Sequence, residues 1–206
     1  MSAARRAGGR EGGARSRPPG ASGPKGGARS RLPGAGGREP GSPRLQLARV
    51  GFGFDLHPLV PDRPLILGGV TVPYELGLGG HSDADVLSHA VGEAMLGALA
   101  LGDLGRHFPD TDPRYRGISS LALLREVVRL LAARGGRVVN VDATILAEAP
   151  RLSALLPDMA KRLADALGIA VDAASVKAKS PEGLGLLGRR EGMAAMAVVS
   201  VEVKSR

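Results

Sequence analysis

The chain has 206 residues, a formal net charge of +8 and no cysteine, which excludes disulfides and leaves any metal to His, Asp or Glu. The charge is segregated: residues 1–44 hold nine Arg, one Lys and two Glu, and the other 162 residues balance at 18 basic and 18 acidic, so the high pI does not describe a basic nucleic-acid-binding domain. No apolar run reaches the roughly 18–20 residues that span a bilayer, and two Tyr, three Phe and no Trp argue against base stacking as a main binding mode.

Residues 1–46 are Gly, Arg, Pro, Ser and Ala with almost no large apolar side chain, so they are expected to form a disordered basic extension ahead of a single domain at 47–206. Leu47 to His57 reads as a strand, and Leu65–Leu67 with Val70–Val72 as a hairpin through Gly68 and Gly69. Ser82 is expected to cap a helix reaching about Ala100, with Asp83 and Asp85 in its first turn. A second helix follows from Ser119 to Ala133, closed by Gly135 and Gly136. Val138–Ala147 is a strand. Leu152, Leu155, Leu156, Met159, Leu163 and Leu167 share one helical face, Val176–Ala178 is a short strand, and Met193–Val203 is the last strand. Between the last two, Gly183–Gly188 taken alone reads as a hairpin turn. This order predicts an α+β fold, a mixed β-sheet with helices packed on one face.

Asp55 and His57 stand two apart on a strand, so their side chains leave the same face. One carboxylate and one imidazole make half of a tetrahedral metal site, and His89 on the following helix is the natural third ligand, with a fourth position open to water or substrate. His81 is a poor ligand for the same ion, lying eight residues earlier, about 12 Å along a helix axis. Asp110 and Asp112, between Pro109 and Pro113, read equally as a polar turn, and Asp85 as a dipole partner or as a residue orienting His89.

Gly53-Phe-Asp-Leu-His57, Gly68-Gly-Val, His81-Ser-Asp-Ala-Asp-Val-Leu-Ser-His89, Leu101-Gly-Asp-Leu-Gly105, Phe108-Pro-Asp-Thr-Asp112, Asn140-Val-Asp142, Ala147-Glu-Ala-Pro-Arg151, Val176-Lys-Ala178 and Gly183-Leu-Gly-Leu-Leu-Gly-Arg189 occur in this order, with Glu191-Gly192 after them. The series closely resembles the 2-C-methyl-D-erythritol 2,4-cyclodiphosphate synthases from about Arg49 to the C-terminus. The resemblance implies a homotrimer with active sites between subunits. It implies zinc (Zn2+), or another divalent cation, held by Asp55, His57 and His89, and magnesium (Mg2+) bridging the substrate diphosphate and reached by Glu182. The implied substrate is 4-diphosphocytidyl-2-C-methyl-D-erythritol 2-phosphate, cyclised with release of CMP.

By the same resemblance His81, Ser82 and Ser180 serve catalysis at the phosphates, and Asp103, Gly105 and Asp110 bind substrate. From a neighbouring subunit, Ala147, Ala149, Pro150 and Arg151 line a cytidine pocket, with Ala178, Lys179, Leu186 and Arg189 as further substrate contacts. Lys179-Ser-Pro-Glu182 departs from the family's threonine run before Glu, Arg190 stands where Gly is usual, and Ala84 replaces a common Gly. The implied setting is a bacterial cytoplasm, with plastid import the alternative raised by the extension; no membrane partner is expected, and nucleic acid only non-specifically through the extension. A phosphohydrolase on the same scaffold and a non-catalytic trimer binding an isoprenoid or phosphate along its axis are the competing readings.

Overall fold

The computed structural model describes residues 46–204; the expected extension lies outside them apart from Gln46. Seven strands and five helices follow in chain order: β1 (Gln46–Val60), β2 (Leu65–Leu67), β3 (Val70–Val72), β4 (Gly77–Leu78), α1 (Val86–Ala98), α2 (Leu104–His107), α3 (Ser120–Ala133), β5 (Gly136–Leu146), α4 (Leu156–Leu167), β6 (Ala174–Lys179), α5 (Gly185–Gly188) and β7 (Gly192–Lys204). Five strands form one sheet in the order β4-β1-β7-β5-β6, and β2 with β3 forms a separate hairpin. β1 and β7 pair antiparallel from Gln46↔Lys204 to Pro58↔Gly192. β5 and β6 are parallel, which requires a crossover, and α4 supplies it. The expected α+β class, with helices on one face of a mixed sheet, is what the chain adopts.

That face is the core. Leu87, Met95 and Leu96 of α1, Leu124 and Leu131 of α3, and Met159 and Leu163 of α4 are fully buried against Ile145, Ala195, Val199 and Val201 of the sheet. Each such Leu or Met contributes about 1.5–3 kcal/mol by leaving water. Two glycines set how closely α1 lies on β1. A Cβ on Gly51 would stand 1.9 Å from the Ala94 carbonyl oxygen, and one on Gly53 2.0 Å from that of Ala90. Only a bare backbone lets the helix settle there, and that contact brings the first turn of α1 over the end of β1 carrying Asp55 and His57.

The helix start differs from expectation. α1 begins at Val86, and its cap is Asp85, not Ser82. The Asp85 carboxylate is completely buried and accepts from the backbone N–H groups of Ser88, Gly68 and Gly69 and from the Ser88 hydroxyl, at 2.7–3.0 Å. It ties the β2–β3 turn to the helix rather than orienting His89. Ala84, at φ +56°, breaks the chain direction just before it, so residues 81–84 are a loop. α4 likewise starts at Leu156, with Leu152 buried in the loop ahead of it. Gly183–Gly188 is no hairpin turn: its second half is the single turn α5.

Candidate metal centre

β1 delivers Asp55 and His57 side by side, and α1 lowers His89 onto them. Nε2 of His57 and Nδ1 of His89 each lie 2.9 Å from one oxygen of Asp55, and 3.2 Å from each other. Ligand atoms 2.0–2.1 Å from a tetrahedral ion stand about 3.3 Å apart. The triangle is therefore of the size an ion would use, and its donor set suits a divalent cation; no other such cluster of His, Asp and Glu occurs among the described residues.

The outer ring nitrogens are also accounted for. Nδ1 of His57 lies 2.7 Å from the Gly79 carbonyl, which can only accept, so that nitrogen carries the proton and Nε2 is free to ligate. Burial pushes the Asp55 carboxyl up, but hydrogen bonds to His57 and His89 and the charges of both rings outweigh it and hold it well below the usual carboxylate range. His57 shows the reciprocal effect: burial pulls it down, yet the hydrogen bond and charge of Asp55 and the Gly79 carbonyl raise it above an ordinary imidazole. A carboxylate that stays ionised keeps the ligand set anionic.

The triangle opens on a cavity of about 380 Å³ lined also by His81, Ser82, Glu93, Gly105, Asp110 and Tyr115. Arg63 fastens the loop that carries His81 and Ser82 by donating to the carbonyls of Gly80 (2.5 Å) and Ser82 (2.7 Å). His81, in that loop and not on a helix, keeps Nε2 shut from solvent without a hydrogen-bond partner. Asp103 caps α2 by accepting from the Arg106 N–H, and Asp112 turns to Arg114, whereas Asp110 faces the cavity. Glu93, half-buried with its carboxyl raised by burial, was missed by the sequence reading; its place four residues after His89 was the available signal.

The other expected residues form a second group. Ala147 donates its N–H to the Lys179 carbonyl, so the loop after β5, with Ala149, Pro150 and exposed Arg151, runs beside Ala178–Glu182. Glu148 joins the two by accepting from the Ser180 hydroxyl and the Gly183 N–H, both at 3.1 Å. Leu186 and Arg189 are exposed nearby on and after α5, with Arg189 paired to Glu191. None of this group lines the metal cavity of the same chain.

Two imidazoles and a carboxylate brought together by β1 and α1, facing a cavity, define a mononuclear divalent-cation centre of the kind metal-dependent enzymes use. The chain belongs to the YgbB family, whose model matches residues 48–202. It is 56% identical to the 2-C-methyl-D-erythritol 2,4-cyclodiphosphate synthase of Moorella thermoacetica, over 73% of this chain and 93% of that one, and 59% identical to the Nitrosospira multiformis synthase, over 73% and 85%. A solved synthase of the same name superposes with a TM-score of 0.68 at 38% identity, covering 73% of this chain and 98% of that one. The IspF–CDP complex of Plasmodium falciparum gives 0.67 at 28%, covering 77% and 97%.

Proposed function

We propose that this protein converts 4-diphosphocytidyl-2-C-methyl-D-erythritol 2-phosphate to 2-C-methyl-D-erythritol 2,4-cyclodiphosphate and CMP, in the non-mevalonate route to isoprenoid precursors. The observation that carries the reading is the Asp55–His57–His89 triangle lining a cavity large enough for a small-molecule ligand. The 2-phosphate oxygen forms a bond to the β-phosphorus, and the β-phosphorus bond to the bridging oxygen breaks, so CMP leaves with that oxygen. Nucleophile and leaving group are both phosphates, and neither a general base nor a protonating acid is required. The difficulty is bringing anions together, which places the work on positioning and charge neutralisation.

Asp55, His57 and His89 would hold zinc, favoured by the two imidazoles and the tetrahedral spacing, and Glu182 would reach magnesium on the diphosphate. When bound, these cations draw charge from the reacting phosphorus. The chain's own part is to place donors. His81 and the Ser82 hydroxyl point to phosphate oxygens, the unpartnered His81 Nε2 fitting that use. Ser180 and Lys179 line the nucleotide phosphates. Asp103, Gly105 and Asp110 hold the erythritol end. Ala147, Ala149, Pro150, Arg151, Ala178, Leu186 and Arg189 form the rest of the nucleotide-side pocket.

A homotrimer with shared sites is part of the same reading. Two features support it: the nucleotide-side residues do not reach the metal cavity of their own chain, and the sheet face away from the helices exposes Val50, Phe52, Phe54, Leu56 and Val198. A bacterial cytoplasmic setting is also part of it, supported by the sources of the two synthases compared; no helix among the described residues is long and apolar enough to cross a membrane. Incubation with the cytidylyl substrate, zinc and magnesium, followed by 31P NMR, tests the whole. CMP and a cyclic diphosphate should form and chelator should abolish both; free inorganic phosphate instead would indicate a hydrolase, and no turnover with metals replete would reject the assignment.

A further inference from the structure

The ring of His89 is held at its outer edge by an arrangement that metal ligation alone does not explain. Nε2 of His89 lies 2.9 Å from the Ser120 hydroxyl and 3.1 Å from the Ser82 hydroxyl. These two hydroxyls are not equivalent. Ser120, on the first turn of α3 and 1% exposed, gives its hydroxyl proton to one oxygen of Asp83 and its backbone N–H to the other at 3.0 Å. An ionised carboxylate only accepts, so that proton is committed and the Ser120 oxygen presents lone pairs to His89. Ser82 lines the cavity; its oxygen already accepts from the Ala84 N–H at 3.1 Å and lies at a longer 3.5 Å from the Ser120 hydroxyl.

We propose that Asp83 and Ser120 form a positioning relay: Asp83 orients the Ser120 hydroxyl as an acceptor for the Nε2–H of His89, fixing the tautomer that leaves Nδ1 free to ligate and leaving the Ser82 proton free for a substrate phosphate. Ser120 touches neither metal nor substrate and acts through His89. The relay matches His57, whose outer nitrogen is held by the Gly79 carbonyl, so both histidines have their outer N–H fixed from behind. It also gives Asp83, from a different loop, the place of a helix cap: Ser119 makes no side-chain cap bond, and Asp83 takes the orphan N–H of Ser120 instead.

This inference rests on the Asp55–His57–His89 metal reading and deepens it. The test is zinc affinity by chelator competition on the purified full chain, for wild type, Ser120→Ala, Ser120→Thr and Asp83→Asn. Loss of an outer partner of a metal-bound histidine weakens binding by about 10–100-fold. Ser120→Ala and Asp83→Asn should lose that much, and Ser120→Thr, which keeps the hydroxyl, should recover most of it. Equal zinc affinity in Ser120→Ala and wild type overturns the relay and leaves the metal site standing; no zinc binding by wild type overturns the metal site itself. Should the variants fold poorly, the wild type alone decides: 1H–15N NMR of the zinc-loaded chain should show a slowly exchanging His89 Nε2–H close to the Ser120 side chain, and a rapidly exchanging Nε2–H would overturn the relay while leaving the metal site standing.

Discussion

One oxygen of Asp55 lies 2.9 Å from a ring nitrogen of each histidine, and the three groups set one another's protonation. Replacing it with Asn keeps the shape and removes the charge. The charge that raises His57 then vanishes and its hydrogen bond weakens to a neutral one, so burial, which lowers it, weighs more. In Asp55→Asn the His57 pKa should fall relative to wild type, read by NMR titration of the metal-free chain. In wild type the sign runs the other way for metal loading. Because His57 is raised, protons compete for Nε2 up to a higher pH than at a free imidazole, and metal affinity should fall about tenfold per pH unit once the pH drops below that value. Asp55 and His57 were legible from sequence because a period of two puts them on one face of a strand. His89 needed only the helix. Ser120 was not legible: it lies 31 residues further on, and only the packing of α3 against α1 brings it there.

At the scale of elements, Asp85 shows why the start of α1 was misplaced. Ser82 has the composition of a cap, but a cap must reach the first free N–H groups, and the bend at Ala84 takes Ser82 out of reach while Asp85 is aligned. The same carboxylate takes two glycine N–H groups from a turn 16–17 residues earlier, a partner no local pattern displays. Asp85→Asn should therefore be costly although isosteric. An amide has one accepting atom where four donors converge, so its NH2 must face another donor in a dry pocket. A loss of about 1–3 kcal/mol is expected in urea unfolding of the metal-free chain. Arg190 gives the opposite sign. It sits at φ +61° after α5, exposed, where a side chain is strained against its own backbone by about 1–2 kcal/mol and glycine is not. Glycine loses more entropy on folding, so Arg190→Gly should raise stability by no more than about 1 kcal/mol in the same assay.

For the molecule as a whole, the sheet has a covered face and a bare one. Register places Phe52 across from Val198 and Phe54 across from Met196, so the bare face presents an aromatic and aliphatic stripe along β1 and β7. The class of the fold was legible because helix and strand periods alternate clearly along the chain; the stripe was not, since an exposed apolar face and a buried one have the same period. If three copies cover it, Phe54→Glu should leave the metal-free fold nearly intact, because that side chain is half exposed in the single chain, yet reduce the mass in solution from trimer to monomer and abolish turnover. A sharper prediction follows from the separation of the two residue groups. On the proposed roles, His57→Ala should remove the metal side of every site and Glu182→Gln the nucleotide side, so each variant alone should be inactive. Unfolded together one to one and reassembled, a random trimer joins an intact metal side to an intact neighbouring nucleotide side at about a quarter of its interfaces. Activity recovered to near that fraction would require sites built from two chains. If the mixture stays as inactive as its parts while both variants form trimers, each site is completed within one chain and the shared-site reading is wrong.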